Sequence, residues 1–582
     1  MKARATVRAS LLLASLAGSL VCVSASGQID QDRQSAAMHI DQGVSVMRSG
    51  DAEKALAEFQ EASRLEPKSS QPLVWIGVTE NQMGRFQEAA TAFRSALHLD
   101  PASQAAHYNL ALSLIRLHDN PAAIRELEEV VKVNSGLVDA QYNLAVLLDE
   151  EGRYREAIPH LEIAQHQRPQ DVDIILRLIE SYLRADHPQQ AIHLVEQAEL
   201  AGISSDTAMK LGSLLVENGE FQTAIDLLKT ANPEPASSPS VSVLLARAYI
   251  GAGTPAEAID VLLPLKDSDT SGDAAYTLGL AYLSLHRSND AAESFRDAVR
   301  LNPGNAPAHF HLGLILLKAA PASDNSEGAE ELAKAIDLSP HEEPYYVALA
   351  SWLLEVDRAS SALPLLQHAL ENVSPTAELY LLMGIAQASV NGAKTAQPVI
   401  EKAIALDPRI ALAHNILGYC YFVSGDNQHA LLAYKRAAEL SPDTGRFAYD
   451  VALLLEKMQQ LAAALPYAQK AAALQPASGD GHYLLGKLYS ELNRDADAAR
   501  ELEASIQINP KLDASHYLLA RTYKRMGKSE KAREEFSKVE ELKKASDRRA
   551  TGGNSAPDPD SALSPPLVLA KPQLEPAKSG PQ

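Results

Sequence analysis

Arg409 to Pro442 reads RIALAHNILGYCYFVSGDNQHALLAYKRAAELSP, and two short amphipathic helices fit it. The first has Leu417, Tyr421 and Phe422 at helical spacing. Gly425-Asp426 breaks the chain. A second helix follows with Ala430, Tyr434 and Ala437 on one face, and it must stop at Pro442. Neither helix can bury its apolar face alone, so the unit needs copies of itself as neighbours.

The copies run the length of the chain. Aligned on the middle of the second helix they give Ala55, Ala89, Ala123, Ala157, Ala191, Ala224, Ala258, Ala291, Gly328, Ala362, Ala396, Ala430, Ala464, Ala498 and Ala532. These are 15 positions, 34 residues apart in eleven of fourteen steps, 33 in two and 37 in one. Twelve residues earlier (fifteen before Gly328) stands a second small residue, such as Gly43, Gly77, Ala111, Gly313 and Gly418, with Ile179 the exception. A proline closes many units, among them Pro101, Pro303, Pro408, Pro476 and Pro510. Glycine inside a helix costs about 1 kcal/mol relative to alanine. Its return at one position implies a compensating close approach of the paired helix.

With these residues in hand the chain resembles the tetratricopeptide repeat family over residues 36 to 544. The resemblance implies an all-α fold, a right-handed superhelical solenoid of about 15 helix-turn-helix repeats. The expected division is repeats one to five at 36–203, six to eight at 204–303, and nine to fifteen at 304–544, with a charged capping helix to about 550. A polar lead-in occupies 28–35, and 551–582 is a Pro/Ser/Ala-rich tail expected to be disordered. Asn232 to Pro239 is expected to be a stiff turn inside a continuous stack, and Ala319 to Glu327 an insertion that lengthens one turn by three residues. Pro159, Pro364, Pro398 and Pro466 fall two residues after the alignment position, which implies either that those second helices start late or bend, or, as the preferred reading, that the position simply tolerates proline.

Lys2, Arg4 and Arg8 precede an apolar run from Leu11 to Val23 and the small residues Ser24-Ala25-Ser26-Gly27. This order predicts a secretory signal over 1–27, cleaved at Ala25 or Gly27, with no transmembrane span afterwards. Cys22 invites lipid anchoring, but Val21 before it is too large for a lipobox. Export predicts a periplasmic or extracellular location. Cys420 is then the single remaining thiol and reads as a buried small residue. The net charge of −21 becomes −24 when the three basic signal residues leave. Such an acidic chain disfavours nucleic acid as a partner.

No zinc-protease, phosphate-loop or dinucleotide motif is present, so neither enzyme activity nor a cofactor is expected. His107, His309, His414, His482 and His516 recur four residues before the small position, a regularity that speaks for framework over metal binding. The resemblance places partner contacts on the concave face, on the first helix of each repeat. Tyr449, Tyr483 and Tyr517, beside Lys487, Arg521, Lys524 and Arg525, would make an aromatic and basic groove for an acidic peptide or an anionic polymer. Tyr108-Asn109 and Tyr142-Asn143 would form a second contact surface. The carboxylate clamp of heat-shock cochaperones is missing. The function expected is a non-enzymatic scaffold of the cell envelope that binds proteins or peptides. The alternatives are a scaffold of a polysaccharide-secretion or outer-membrane assembly machine and, after it, a subunit of an enzyme complex.

Overall fold

The computed structural model describes residues 27–200, 204–231, 238–319 and 327–550. The expected signal with Cys22, the tail at 551–582, Pro233 and Pro235, and the core of the insertion all lie outside these residues. Among the described residues there are thirty α-helices and no strand, from α1 (Gly27–Arg48) to α30 (Ser529–Ala550). Odd and even helices alternate as the first and second arms of hairpins. The chain forms two compact units, one ending at Ser268 and one beginning at Asp269. The first holds seven hairpins, and its core runs across the proline-rich stretch, since Leu228 and Leu245 share one cluster. The second holds eight, from α15 (Asp273–Ser284) onward. Residues 28–35, read as a lead-in, are the start of α1.

Thirteen of the hairpins turn through one left-handed residue seven positions after the first small one, and the eleventh turns at Gly392, eight after Gly384, with φ 87° and ψ 164°. Glycine serves there at Gly50, Gly84, Gly152, Gly219, Gly253, Gly425 and Gly527. His118, Asp186, His286, Asp357, Gln459 and Asn493 take the same conformation with φ between 57° and 64°. Such backbone favours Gly, Asn and Asp because a Cβ crowds the next carbonyl. The following helix is capped where an aspartate is present. Asp426 accepts a bond from the His429 amide at 3.1 Å, as Asp51 and Asp119 do from Lys54 and Ala122.

The repeated glycines answer to a side chain more than to a backbone. A Cβ on Gly43, Gly77 or Gly279 would lie 2.5–2.6 Å from the ring of Phe59, Phe93 or Phe295. The same place is filled by Tyr434 over Gly418, Ile400 over Gly384, and Leu228 and Leu502 over Gly212 and Gly486. The filling residue stands sixteen positions after the glycine, four after the alignment alanine. Three of the alanines at this position face a leucine, Ala111 with Leu127, Ala145 with Leu161 and Ala350 with Leu366, all fully buried, whereas Ala520 stands sixteen residues before Phe536. The exceptional Ile179 is matched by Val195. An aromatic ring is thus used most often where the first residue is glycine, while leucine serves opposite either glycine or alanine. Backbones meet at Gly313 and Gly328, where a Cβ on either comes 2.8 Å from the other's carbonyl oxygen.

The four prolines sit inside helices that begin on schedule, which excludes a late start. They occupy the sixth position of α8 (Tyr154–Gln167), α20 (Ala359–Asn372), α22 (Ala393–Leu406) and α26 (Leu461–Leu474). Each of these helices opens with a tighter i to i−3 bond: Glu156 to Arg153, Ser361 to Arg358, Thr395 to Gly392 and Ala463 to Gln460. A short 3-10 turn accommodates the missing amide.

Neighbouring hairpins are tied by side chains twenty residues apart. Tyr182 donates to Glu162 at 2.6 Å, Tyr523 donates to Glu503, and Gln469 donates to Tyr489 at 2.9 Å. Val539 and Ala532 of α30 are buried, so this helix is the second arm of the last repeat as well as its charged end. Glu540 pairs with Lys544 at 4.0 Å, while Lys538 pairs with Glu535 at 2.7 Å.

Candidate protein-binding groove

The first arms of the last three repeats are α25 (Gly445–Lys457), α27 (Gly479–Glu491) and α29 (Asp513–Arg525). Helical phase puts Tyr449, Tyr483 and Tyr517 at one register on successive arms. Tyr449 and Tyr483 are half-buried, and burial pushes the Tyr449 phenol up from its ordinary range. Tyr517 is 47% exposed, with the Arg521 guanidinium 5.8 Å from its ring centre and Phe536 edge-on at 6.0 Å. Arg521 and Lys524 face solvent.

The groove is less basic than the sequence suggested. Lys487 Nζ lies 3.0 Å from Glu456 Oε1; burial opposes its charge, but Glu456 outweighs that and holds the ammonium above its usual range. Glu491 beside it is raised by burial and by Glu456. Arg525 turns to the preceding repeat, donating to Asp495 Oδ1 at 2.6 Å and 2.9 Å and to the Ser490 carbonyl at 3.2 Å. Two of the four cations are thus neutralised across repeats, which removes the ground for a polyanion site. Arg521 and Lys524 remain for a ligand.

The second surface is corrected outright. Tyr108, Asn109, Tyr142 and Asn143 are at most 5% exposed. They lie on α5 (Gln104–Arg116) and α7 (Val138–Glu150). Every residue of α7 from Val138 to Asp149 is buried, so neighbouring arms cover it on all sides. Asn109 donates to the Ala105 carbonyl at 2.8 Å, and Asn143 Nδ2 lies 3.4 Å from Tyr108 Oη. Burial pushes the Tyr108 phenol well up. These four side chains are core.

Other polar and titratable groups lie in the core. His311 is buried in a ring cluster, stacked 5.3 Å from Phe295, with Phe310 and Tyr276 beside it; burial lowers it to about 4. His309 faces away and bonds Glu331. Buried Asp450 accepts from Arg446 Nε at 3.0 Å and Asn415 Nδ2 at 3.0 Å. Cys420 is fully buried, and burial raises its thiol to about 11. Among the described residues no three His, Cys, Asp or Glu side chains gather to hold a metal. No described helix is long and apolar enough to cross a membrane.

Paired helices with small residues at the crossing, stacked in register along a grooved face, define a helical-hairpin repeat protein. The chain belongs to the tetratricopeptide repeat family, whose sequence profiles match residues 40–172, 148–202, 215–343, 381–443, 449–513 and 514–546. The BBSome complex member BBS4 homolog of Drosophila melanogaster is 24% identical over 298 residues, covering 48% of this chain and 60% of that protein. The probable UDP-N-acetylglucosamine–peptide N-acetylglucosaminyltransferase SPINDLY of Hordeum vulgare is 29% identical over 148 residues, 24% of this chain and 16% of its own length. Among solved structures, Naa15/Naa10 bound to HypK-THB is similar over 88% of this chain and 94% of the matched one, at 13% identity and a TM-score of 0.38. The chain thus spans less than two thirds of the length of either named relative.

Proposed function

We propose that this chain is a non-enzymatic scaffold that captures partner proteins, and that the first arms of repeats 13 to 15 read an acidic, extended segment of such a partner. The observation that carries this reading is Tyr517, an exposed ring with Arg521 against it and Lys524 one turn on. A flat amphipathic ring beside unneutralised cations suits a peptide that offers carboxylates and apolar surface together. The run of basic, apolar and small residues over 1–27 supports export, and hence a scaffold working in the cell envelope. The test is fluorescence anisotropy with acidic and neutral peptides on the full chain. Tyr517→Ala with Arg521→Ala is expected to weaken the acidic peptide about tenfold or more while the melting curve is kept. Equal affinity for both peptides, unmoved by the double variant, would end this assignment.

A further inference from the structure

At two registers a first arm receives a polar group from the first arm that follows it. At the register of Tyr517, Asn415 donates to Asp450 at 3.0 Å, and Asn143 Nδ2 lies 3.4 Å from Tyr108 Oη. At the register of Lys524, Glu456 accepts from Lys487 at 3.0 Å, and the Ser490 carbonyl accepts from Arg525 at 3.2 Å. The second partner stands one repeat further on in all four pairs. Among the described residues α29 is the last first arm, so Tyr517 and Lys524 have no following arm to meet. Tyr517 is accordingly 47% exposed where Tyr108 is fully buried. Arg521, one turn from each, faces solvent beside them.

The sequence after α30 reads TGGNSAPDPDSALSPPLVLA over 551–570. Its only charged residues are Asp558 and Asp560, and Leu563 with Leu567 to Leu569 makes an apolar run. Pro557, Pro559, Pro565 and Pro566 disfavour helix and steer the residues before them to extended backbone. The distances suit a return to the groove. Phe536 lies edge-on to Tyr517, and Ala550 stands fourteen residues further along α30, about 21 Å away. Measured from Ala550, Arg521 and Lys524 are then about 27 Å and 31 Å back along the hairpin. Extended chain spans about 3.3–3.6 Å per residue, which carries Asp558 about 26–29 Å and Asp560 about 33–36 Å from Ala550. Both carboxylates come level with the two cations.

We infer that residues 558–569 of this chain are the resident occupant of the groove, with Asp558 and Asp560 on Arg521 and Lys524 and the apolar run over Tyr517 and half-buried Tyr483. The inference rests on the groove reading above and adds its regulation, since a partner's acidic segment must displace the chain's own. Two acids answer the two cations that are left once Lys487 and Arg525 are paired across repeats. The tether makes a weak contact sufficient. A segment held this close is present at an effective concentration on the order of millimolar, so an intrinsic affinity of about 0.1 mM raises a partner's apparent Kd about tenfold. Lys543 and Lys544, near the end of α30, compete for the same acids, and Lys544 already has Glu540 at 4.0 Å.

Two measurements on the full chain test this. A carbodiimide joins a lysine amine to a carboxylate it touches, and peptide mass then names the pair. Lys524 is expected to couple to Asp558 or Asp560 within one chain in dilute solution. Coupling of these acids only to Lys543 or Lys544 would overturn the proposal, as would coupling found only between two chains. The second measurement is anisotropy with a fluorescent oligo-glutamate peptide. Asp558→Asn with Asp560→Asn, which leaves every hairpin untouched, should bind the peptide about tenfold more tightly than the natural chain. Equal affinity overturns the proposal. If that equal affinity is weakened by Tyr517→Ala with Arg521→Ala, the groove reading stands and only its resident falls. Coupling to Lys524 with no capture of the peptide by either chain does the reverse: it sinks the capture of partners and leaves the chain's own segment seated.

Discussion

A Cβ placed on Gly418 would lie 2.6 Å from Cδ1 of Tyr434, so the tyrosine ring occupies the space a side chain would need. Gly418→Ala is expected to cost about 1–3 kcal/mol by overpacking. Adding Tyr434→Leu should restore most of it, because Ala with Leu is the combination used at Ala111 and Leu127. Urea melts of the single and double variants measure the recovery.

Gly313→Ala is expected to behave differently. Its Cβ would meet the Gly328 carbonyl at 2.8 Å as well as Leu332, and a carbonyl in a helix has no rotamer to escape into. The loss should exceed that of Gly418→Ala, and trimming Leu332 to alanine should deepen it.

Gln459 holds the left-handed turn position with φ 59°, where seven other repeats use glycine. Gln459→Gly should raise stability by about 1 kcal/mol through relief of that conformation. Gly425→Ala, at φ +83° and with nothing within 4 Å of the new Cβ, should lower it by a similar amount through the backbone alone.

Asp149 is buried, accepts from Ser181 Oγ at 2.9 Å and 3.0 Å, and is raised by that burial from 3.8 to about 7. Its folded value lies above the unfolded one. Below about pH 4 the carboxyl is protonated in both states and the site carries no penalty. As pH climbs from 3.8 to about 7 the unfolded chain releases a proton that the folded chain retains, and stability falls. Asp149→Asn should flatten this slope and stabilise the chain at pH 8 by up to about 4 kcal/mol. Thermal melts across that range of pH are the check.

His311 gives the opposite sign. Burial lowers it to about 4, so its neutral form supports the fold above the ordinary value of 6.5, and that support is lost as pH drops from 6.5 to about 4. His311→Phe keeps a ring stacked on Phe295 and should make the second unit more resistant to acid, with little change at neutral pH. Melts at pH 4.5 and 7.5 separate the two cases.

The helix pairs and their phase were legible because both rest on local chemistry: period, glycine at the turn, proline at the end. The filling opposite the glycines was read as helix touching helix, which holds at Gly313 and Gly328 but not where Phe59, Phe93, Phe295 and Tyr434 stand sixteen residues on. That spacing carried the signal. Likewise the nineteen-residue interval at which His107, His482 and His516 bond Glu126, Glu501 and Glu535 was visible and unused. Groove residues were harder to read. Whether a first-arm tyrosine is core, like Tyr108, or exposed, like Tyr517, depends on how closely the next arm covers it. The loss of two cations followed from pairs 31 and 30 residues apart, Lys487 with Glu456 and Arg525 with Asp495, which only stacking brings together.

Each glycine and the side chain seated on it belong to one hairpin, so that match is made inside the hairpin, while the outer side of the ring meets the next one, as Phe59 meets Trp75 and Phe295 meets His311. A whole hairpin could be duplicated or removed and every such match would travel with it intact. The protein can therefore change its reach in steps of one module while keeping these inner matches, and the six non-glycine residues at the turn show how far individual modules differ once that fit is kept.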